Sequence, residues 1–299
     1  MIYIGTCGYS YKDWVGPFYP KGVKNHQMLP YYARHFSAVE IDATYYNVFS
    51  AATFSSMDRR TPDHFKFCAK LPGSATHLPK EAALTIHDDV HLFRESIQPL
   101  VERRKFVCAL MQFPNSFKPD TRAEEYIRNL RAAIPDIQLV AEFRNREWQS
   151  SSTIDLLTKL RIGWCNVDGP QFKSLMRPGA DVTSEVGYVR FHGRNYDQWW
   201  RGDNVTRYDY LYSAEELKPW TQRVTDVELE VKQTLAFFNN HRRGQAVVNA
   251  EMFEEMLRTQ FGDRADRMLP KPKERTYSKE GRPAPLFDSL SGGNTRTQM

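Results

Sequence analysis

Three basic side chains alternate along the stretch GYVRFHGRNYDQWW, which spans residues 187–200. Arg190, His192 and Arg194 are separated by single residues, and the residues around the first two are aromatic or β-branched, as in a strand. In a strand this spacing places all three basic side chains on one face. A buried face tolerates such groups only beside acidic partners or a bound anion. The stretch therefore predicts a strand whose cationic face contacts carboxylates, a ligand or both.

Carboxylates occur near the ends of other apolar, strand-like runs. Glu40 lies in AVEI, Glu142 in LVAEFRN, and Asp168 ends WCNVD. Carboxylates and a histidine can accept and return protons when a fold brings them together. The candidate catalytic residues are therefore Glu40, Glu142, Asp168 and His192.

Basic, amide and aromatic side chains at comparable positions are the candidate ligand-binding groups. The cations outnumber the carboxylates, which favours an anionic ligand such as a phosphate or a carboxylate. Indole rings near the same strand ends could stack on a sugar face or a base. The candidate ligand-binding residues are Lys70, His77, Gln112, Arg144, Arg190, Arg194, Trp148, Trp199, Asn239, Asn240 and His241.

The same side chains could instead form a structural ion-pair network. Buried ion pairs stabilise a fold weakly, because the desolvation of two charges roughly cancels their attraction. A scaffold alone would gain little from so many polar groups at one end of a fold. A ligand site is the favoured interpretation, and salt bridges from Glu142 to Arg144 or Arg190 are the alternative.

Metal chemistry is left open by the sequence. HExxH, paired CxxC and EF-hand patterns are absent. A scattered site from Glu40, Glu142, Asp168, His77 and His192 would leave no such pattern, since each ligand would come from a different strand. We therefore assign no metal ligand, and the cofactor is unknown, with a divalent metal as an open alternative. The four cysteines lie far apart in the sequence and are expected to be reduced core thiols.

These side chains need a frame that brings distant parts of the chain together. Eight β-branched or aromatic runs alternate with helical patterns, which indicates parallel βαβ units. Eight units in 299 residues favour the α/β class, as a single (β/α)8 TIM-type barrel, over an open doubly wound sheet. No GxGxxG motif follows the first run. The predicted strands are Ile2–Thr6, Ala38–Ile41, Phe65–Ala69, Phe106–Phe113, Gln138–Phe143, Ile162–Val167, Gly187–His192 and Thr234–Asn239.

Helical patterns fill most of the intervals between these strands, although 169–186 has little helix signal.

In such a barrel, alternate strand residues point into the lumen and the carboxyl ends carry the site. This alternation predicts that Glu142 and Arg144 point inward, and that Asn166 and Asp168 do so on the next strand. The predicted helices are Met28–Phe36, Asp88–Arg103, Arg122–Ile134, Ser151–Leu160, Ala214–Thr225 and Gln245–Phe261.

The barrel domain is expected at residues 1–265, followed by a flexible basic tail at 266–299. The tail is rich in Pro, Gly, Ser and Lys and poor in apolar residues, which is typical of disorder. The net charge of the chain is +5. Residues 270–299 hold six basic against three acidic residues and so supply more than half of it. The near-neutral body therefore supports nucleic-acid binding only weakly.

A cytoplasmic protein that binds a small anionic ligand is expected, with no membrane partner. No apolar run approaches the ~20 residues that span a bilayer. The first residues, MIYIGTCGYS, lack the basic and apolar regions of a signal peptide.

The chain resembles the YecE-like family, domain of unknown function 72, from about Tyr3 to Glu251. The resemblance implies a TIM barrel, loosely described as sugar-isomerase-related. It also implies that the polar side chains predicted at the strand ends are the characteristic feature of the family. Cys7 and Tyr9 stand where Ser and Trp are expected, and Asp42 where Asn is expected. The motifs that carry the resemblance are FYP (18–20), VEI and TYY (39–46), TP..F.F..K (61–70), TH (76–77), EFR with a following Trp (142–148), HGR (192–194) and FFNNH..G.A..NA (237–250).

The sequence is compatible with three functions. The favoured one is an enzyme that applies isomerase-like or hydrolase-like acid–base chemistry to a small phosphorylated or carboxylated sugar-like compound at the carboxyl-terminal mouth of the barrel. The second is a nucleic-acid-processing enzyme of the metal-assisted phosphodiesterase type. The third is a non-catalytic protein that binds its ligand with the same polar side chains at the strand ends.

Overall fold

The computed structural model describes residues 1–77, 86–203 and 206–270. Eight parallel strands close into one barrel in the order of the sequence, and the last strand pairs with the first. This confirms the predicted (β/α)8 architecture, and every strand ends within one residue of its expected bounds. The strands are β1 (Ile2–Cys7), β2 (Ala38–Ile41), β3 (Lys66–Lys70), β4 (Phe106–Phe113), β5 (Leu139–Phe143), β6 (Gly163–Asp168), β7 (Val186–Phe191) and β8 (Gln233–Phe238).

Helices surround the barrel in nearly all of the predicted intervals. The predicted helix at 88–103 is divided after Ser96, because Pro99 lacks the N–H that a continuous helix would need. The helix at 51–59 was not predicted. Residues 169–185 contain no helix, in keeping with their weak signal. The helices are α1 (Asn25–His35), α2 (Ala51–Arg59), α3 (Gly73–Thr76), α4 (Asp88–Ser96), α5 (Gln98–Glu102), α6 (Thr121–Ala133), α7 (Ser151–Leu160), α8 (Ala214–Glu230), α9 (Gln245–Phe261) and α10 (Ala265–Met268).

The capping and the apolar spacing of α8 show why such segments fold onto the barrel. The Ser213 hydroxyl accepts from the backbone N–H of Glu216, whose carboxylate accepts from the backbone N–H of Ser213. Leu217, Trp220 and Val224 then recur at helical spacing and are buried. The helix therefore presents one apolar stripe to β7 and β8.

The lumen below the mouth is filled with side chains, so the barrel is a packed core rather than a pore. The rings of Tyr188 and Phe237 meet there with centroids 5.5 Å apart. The Sγ atoms of Cys68 and Cys108 lie 3.6 Å apart, and all four cysteines are buried free thiols.

The described chain ends on the barrel. Helix α10 follows α9, and Leu269 is buried in the common apolar core. The rest of the tail predicted at 266–299, from residue 271 onward, lies outside the described residues. Within the described part of the chain, no helix has the length and apolar character that crossing a membrane requires.

Candidate functional site

A cleft of about 440 Å³ opens at the carboxyl ends of the strands. Its polar wall consists of side chains from the ends of six strands. Its aromatic wall comes mainly from the loops that follow them. The polar residues of the wall include Asp42, Lys70, Gln112, Arg144, Arg190 and Asn239.

Arg190 lies at the floor of this cleft and bridges the carboxylates of two other strands. One terminal nitrogen, Nη2, lies 2.6 Å from Glu40 Oε1 and 3.4 Å from Asp42 Oδ1. The other, Nη1, lies 2.6 Å from Glu142 Oε2. Burial opposes its charge, but the acidic neighbours outweigh burial and raise the pKa of Arg190 well above its usual range. Arg190 is therefore a permanent cation in the barrel.

Glu142 is held in the ionised state by the groups that surround it. Besides Arg190, Arg144 Nε lies 2.7 Å and His192 Nε2 3.1 Å from its Oε1. Burial alone would raise the pKa of Glu142, but the charge of Arg190, the hydrogen bond from His192 and the charge of Arg144 outweigh burial and hold it well below its usual range. Its oxygens have little capacity left for a ligand.

His192 is neutral, and its partners decide which ring nitrogen carries the proton. Burial and the nearby Arg144 lower its pKa to about 4, although Glu142 opposes this. The Asn239 amide nitrogen lies 3.1 Å from His192 Nδ1. Because the amide nitrogen only donates, Nδ1 accepts and the proton sits on Nε2, where it is donated to Glu142.

Glu40 and Asp42 form a pair of carboxyl groups, with oxygens within 4.8 Å of each other and opposite pKa shifts. Burial first, and the neighbouring Asp42, raise the pKa of Glu40 to about 7, although Arg190 opposes them. Burial would also raise the pKa of Asp42, but Arg190 and Lys70 outweigh burial and lower it. One proton is thus held on Glu40, and Asp42 presents a partly exposed carboxylate to the cleft. Such a pair can take up or release a proton near neutral pH.

Lys70, the last residue of β3, brings an ammonium group into the cleft. Its Nζ donates to Gln112 Oε1 at 2.8 Å and lies 4.3 Å from the centre of the Tyr45 ring. Burial lowers its pKa, and the charge of Asp42 partly offsets this. Within the described ranges, no carboxylate lies within 4.0 Å of Nζ. In the described part of the chain, the charge of Lys70 therefore has no ion-pair partner.

The predicted residues His77, Trp199 and His241 also line the cleft. Burial, and then Lys70, lower the pKa of His77 to about 4. The His241 ring is stacked on Tyr11 at 4.7 Å, and the Arg144 guanidinium lies 5.6 Å from the Trp199 ring. With Lys70, Gln112, Arg144, Arg190 and Asn239, eight of the predicted ligand-binding residues share one cavity wall.

Asp168 and Arg194 do not point into the cleft. Arg194 Nε and Nη2 reach the two Asp168 oxygens at 2.8 and 2.7 Å. The Tyr212 hydroxyl and the Trp220 indole donate to the same carboxylate at 2.8 and 2.7 Å. These four residues, which we call the Asp168 cluster, fill the space between β6, β7 and α8 and complete one another's hydrogen bonds.

Two local features explain why the predicted directions of Asp168 and Arg194 were wrong. Cys165 Sγ lies 3.9 Å from Glu142, so Cys165 points into the lumen and Asp168 points outward. On β7, Gly193 adopts φ +83°, a conformation that ends the alternation of the strand. Arg190 and His192 share the inward face as predicted, but Arg194 turns away from it.

Trp148 and Asn240 were also misplaced by the prediction. Trp148 is fully buried, donates to the Phe117 carbonyl at 2.7 Å and stacks on Phe143 at 4.4 Å. Asn240 is fully buried, and its amide nitrogen donates to the Tyr210 carbonyl and to Asn249 Oδ1, both at 2.8 Å. Both side chains anchor loops outside the cleft.

The scattered metal set considered from the sequence is not brought together. Asp168 lies in its own cluster, and Arg190 separates Glu40 from Glu142. Among the described residues, ligand atoms of Cys7, Glu40 and Asp42 do lie within 4.8 Å of one another. The Arg190 guanidinium, however, contacts all three, at 3.3, 2.6 and 3.4 Å. A divalent cation would have to displace a buried arginine, so this group does not fit one.

Several cleft residues were absent from the candidate set. Asp42 follows β2 two residues after Glu40, on the same face, and this spacing could have revealed it. Tyr208 and Arg207 belong to the long loop after β7, where no periodicity indicates direction. Tyr46 and Trp200, with 68% and 52% of their surfaces exposed, form part of the rim.

Comparisons with known proteins agree with this fold. The family model described as "Protein of unknown function DUF72" matches residues 3–274. The UPF0759 protein YunF of Bacillus subtilis is 29% identical over 282 residues, which cover 90% of this chain and 99% of YunF. The UPF0759 protein YecE of Escherichia coli K12 is 34% identical over 120 residues, 40% of each chain.

Solved structures of two bacterial relatives match the barrel. A DUF72 family protein of Thermotoga maritima is 38% identical, with a TM-score of 0.77, covering 86% of this chain and 99% of that one. A DUF72 family protein of Enterococcus faecalis is 25% identical, with a TM-score of 0.76, covering 86% and 95%. Because the family model spans nearly the whole chain, this protein belongs to DUF72, the family of barrel proteins to which the resemblance of its motifs pointed.

Proposed function

We propose that this protein is an enzyme that binds a small phosphorylated or carboxylated sugar-like ligand in the cleft and transfers protons on it. The observation that carries the proposal is the ammonium of Lys70, which has no carboxylate within 4.0 Å among the described residues. Even a partly buried cation without a carboxylate is unfavourable unless something else supplies the negative charge. An anionic ligand group beside Lys70 would supply it.

Arg144 extends this cationic surface. One side of its guanidinium meets Glu142, and its carbon lies 5.6 Å from the Trp199 ring. Arginine held in this way presents several donors in a fixed plane, which suits the paired oxygens of a phosphate or carboxylate. Lys70 and Arg144 together would bind an anion from two strand ends.

Aromatic side chains beside these cations favour a ligand with an apolar face. Tyr45, Trp199 and Trp200 line the same cleft. A sugar ring has such a face, and flat aromatic rings bind it by stacking and by excluding water. The volume of about 440 Å³ suits a small molecule rather than a strand of nucleic acid.

The Glu40–Asp42 pair supports a catalytic role over passive binding. Glu40, with a pKa of about 7, holds a proton that can pass through Asp42 to the cleft. A protein that only bound an anion would gain nothing from a carboxylate such as Asp42 in the wall. Proton transfer between Glu40 and the ligand would explain why Asp42 lines the cleft.

Calorimetric titration tests the proposal with matched pairs of sugar phosphates and neutral sugars, and of sugar acids and neutral sugars. We expect binding of the anionic member only. Lys70→Met should weaken it about 10–100-fold, the equivalent of one charge-assisted hydrogen bond. Lys66→Met is the matched control, because Lys66 lies on the same strand but donates to the Arg104 carbonyl at the far end. Equal binding of the neutral sugars, or unchanged affinity in Lys70→Met, would refute the proposal.

A further inference from the structure

Tyr208, in the loop between β7 and α8, brings its hydroxyl into the wall of the cleft. Its ring centre lies 6.2 Å from that of Trp199 and 6.1 Å from those of His192 and His241. Its hydroxyl lies beside the Arg144 guanidinium. The phenol thus stands between the aromatic wall and the cationic wall.

The backbone on both sides of Tyr208 is fixed by side chains. Asn195 Nδ2 donates to the carbonyls of Thr206 and Asp209, both at 3.1 Å. The Asp209 carboxylate in turn binds Arg242 Nη1 at 2.6 Å. These contacts tie the loop to its own beginning and to the segment after β8. The hydroxyl is therefore held in place before a ligand arrives.

The Arg144 guanidinium beside the hydroxyl limits where the phenolic proton can point. A guanidinium has only donors, so the Tyr208 hydroxyl cannot donate its proton to Arg144. The hydroxyl proton must then point elsewhere, and the described residues offer it no hydrogen-bond acceptor. By contrast, both ring nitrogens of His192 already have partners. The Tyr208 proton is available to a ligand oxygen.

The charges around Tyr208 favour its phenolate. Burial alone would raise the pKa of Tyr208, but Arg144, Lys70 and Arg190 outweigh burial and lower it below the ordinary value of 10. The titratable groups that face it from the packed elements are Lys70 at the end of β3, Arg144 after β5, Arg190 and His192 near the end of β7, and His241 after β8.

We propose that Tyr208 is the general acid that gives a proton to the anionic ligand in the cleft. In this step the Oη–H bond of Tyr208 breaks and a new O–H bond forms on a ligand oxygen. The electron pair left on Oη is stabilised by Arg144 and Lys70, and solvent returns a proton after the product leaves. This inference rests on the proposed function, because it requires an anionic ligand beside Lys70.

Ultraviolet titration of the full chain tests the assignment without a known substrate. Phenolate absorbs at about 295 nm, and ordinary tyrosines ionise near pH 10, so a phase below that pH should correspond to about one tyrosine. We expect Tyr208→Phe to abolish this phase. Tyr31→Phe is the control, because burial raises the pKa of Tyr31 and its loss should leave the early phase intact.

Inorganic phosphate connects the titration to the site. A bound anion beside Tyr208 disfavours the phenolate, so saturating phosphate should move the early phase to higher pH in the wild type. At neutral pH, Tyr208→Phe should bind phosphate within about threefold of the wild type, since Lys70 and Arg144 remain.

The two failures are distinguishable. An early phase that is missing from the wild type, or that survives in Tyr208→Phe, overturns the assignment of Tyr208 even where phosphate binds. An early phase that depends on Tyr208, in a protein that binds no phosphate, sugar phosphate or sugar acid, overturns the proposed function and the inference with it.

Discussion

The Asp168 cluster and the cleft contain the same kinds of side chain, but they differ in whether the charges and hydrogen bonds of those side chains are satisfied within the protein. In the cluster, Arg194, Tyr212 and Trp220 supply four donors, and the Asp168 carboxylate accepts all of them. In the cleft, Lys70 has no carboxylate partner among the described residues. Polar side chains in a barrel therefore indicate a site only where their hydrogen bonds and charges are left incomplete.

Removing the centre of the cluster should have the largest effect on stability. Asp168→Ala leaves Arg194, Tyr212 and Trp220 without their common acceptor, and we expect a loss of about 3–5 kcal/mol in the free energy of unfolding. Urea denaturation measures it. Asp168→Asn retains an acceptor of the same shape and should lose less. A loss below about 1 kcal/mol in Asp168→Ala would mean that the cluster is not scaffold.

The Glu40–Asp42 pair should make stability depend on pH in a defined window. The pKa of Glu40 is about 7 in the fold against an ordinary 4.5, so its protonated form stabilises the fold. That contribution is complete below about pH 4.5, is lost as the pH rises to about 7, and amounts to about 3 kcal/mol for this shift. Glu40→Gln, which stays neutral, should lack this dependence.

Urea unfolding in steps across that window measures the difference between Glu40→Gln and the wild type. Glu142 does not confuse the result. Its pKa is depressed, so its contribution is present above its ordinary pKa of 4.5 and is lost only as the pH falls below that value. Parallel stability curves for the two proteins would show that Glu40 titrates normally and would remove the acid–base role of the pair.

Sequence reasoning predicted the barrel well because eight β-branched runs in 299 residues leave few alternatives. It failed on the direction of Asp168 for a physical reason. All six residues of β6 are buried, since barrel strands pack on both faces, so hydrophobicity does not distinguish the lumen from the helix layer. Glu142 and Arg190 were placed correctly, because charged groups in the middle of such strands can be satisfied only across the lumen.

Loops limited the prediction of the site itself. Gly193 redirects Arg194, and a single sequence does not reveal whether a glycine adopts positive φ. Tyr208 lies 17 residues beyond the end of β7, in a segment without periodicity. Its position depends on contacts such as those of Asn195 and Asp209, which only the folded chain brings together.

The same comparison can be made between two single residues, the buried Lys105 and the partly buried Lys70. Lys105 Nζ lies 2.7 Å from Asp58 Oδ1 and donates to the carbonyls of Asp58 and Thr61. Lys70 donates to the neutral Gln112 and, among the described residues, has no carboxylate within 4.0 Å. We expect Lys105→Met to lose about 2 kcal/mol, because its charge-assisted hydrogen bonds disappear. Lys70→Met should leave the free energy of unfolding unchanged or raise it by about 0.5–1 kcal/mol, because residues placed for function are often not the most stabilising choice at their position. Equal losses in the two variants would make Lys70 part of the scaffold.

The smallest effect on stability is expected at the rim, where Trp200 contributes to the cleft without supporting the fold. Half of its surface is exposed, so Trp200→Ala should change the free energy of unfolding by less than about 0.5 kcal/mol. If its ring stacks on the sugar portion of a ligand, calorimetry should show about threefold to tenfold weaker binding of a sugar phosphate. Inorganic phosphate has no face to stack on, so its affinity should stay the same, and Leu229→Ala, on the exposed surface of α8, should change neither. Weaker binding of both ligands would instead mean that Trp200 positions Lys70 and Arg144. Unchanged binding of both would mean that the ligand is recognised by its charge and that Trp200 does not contact it.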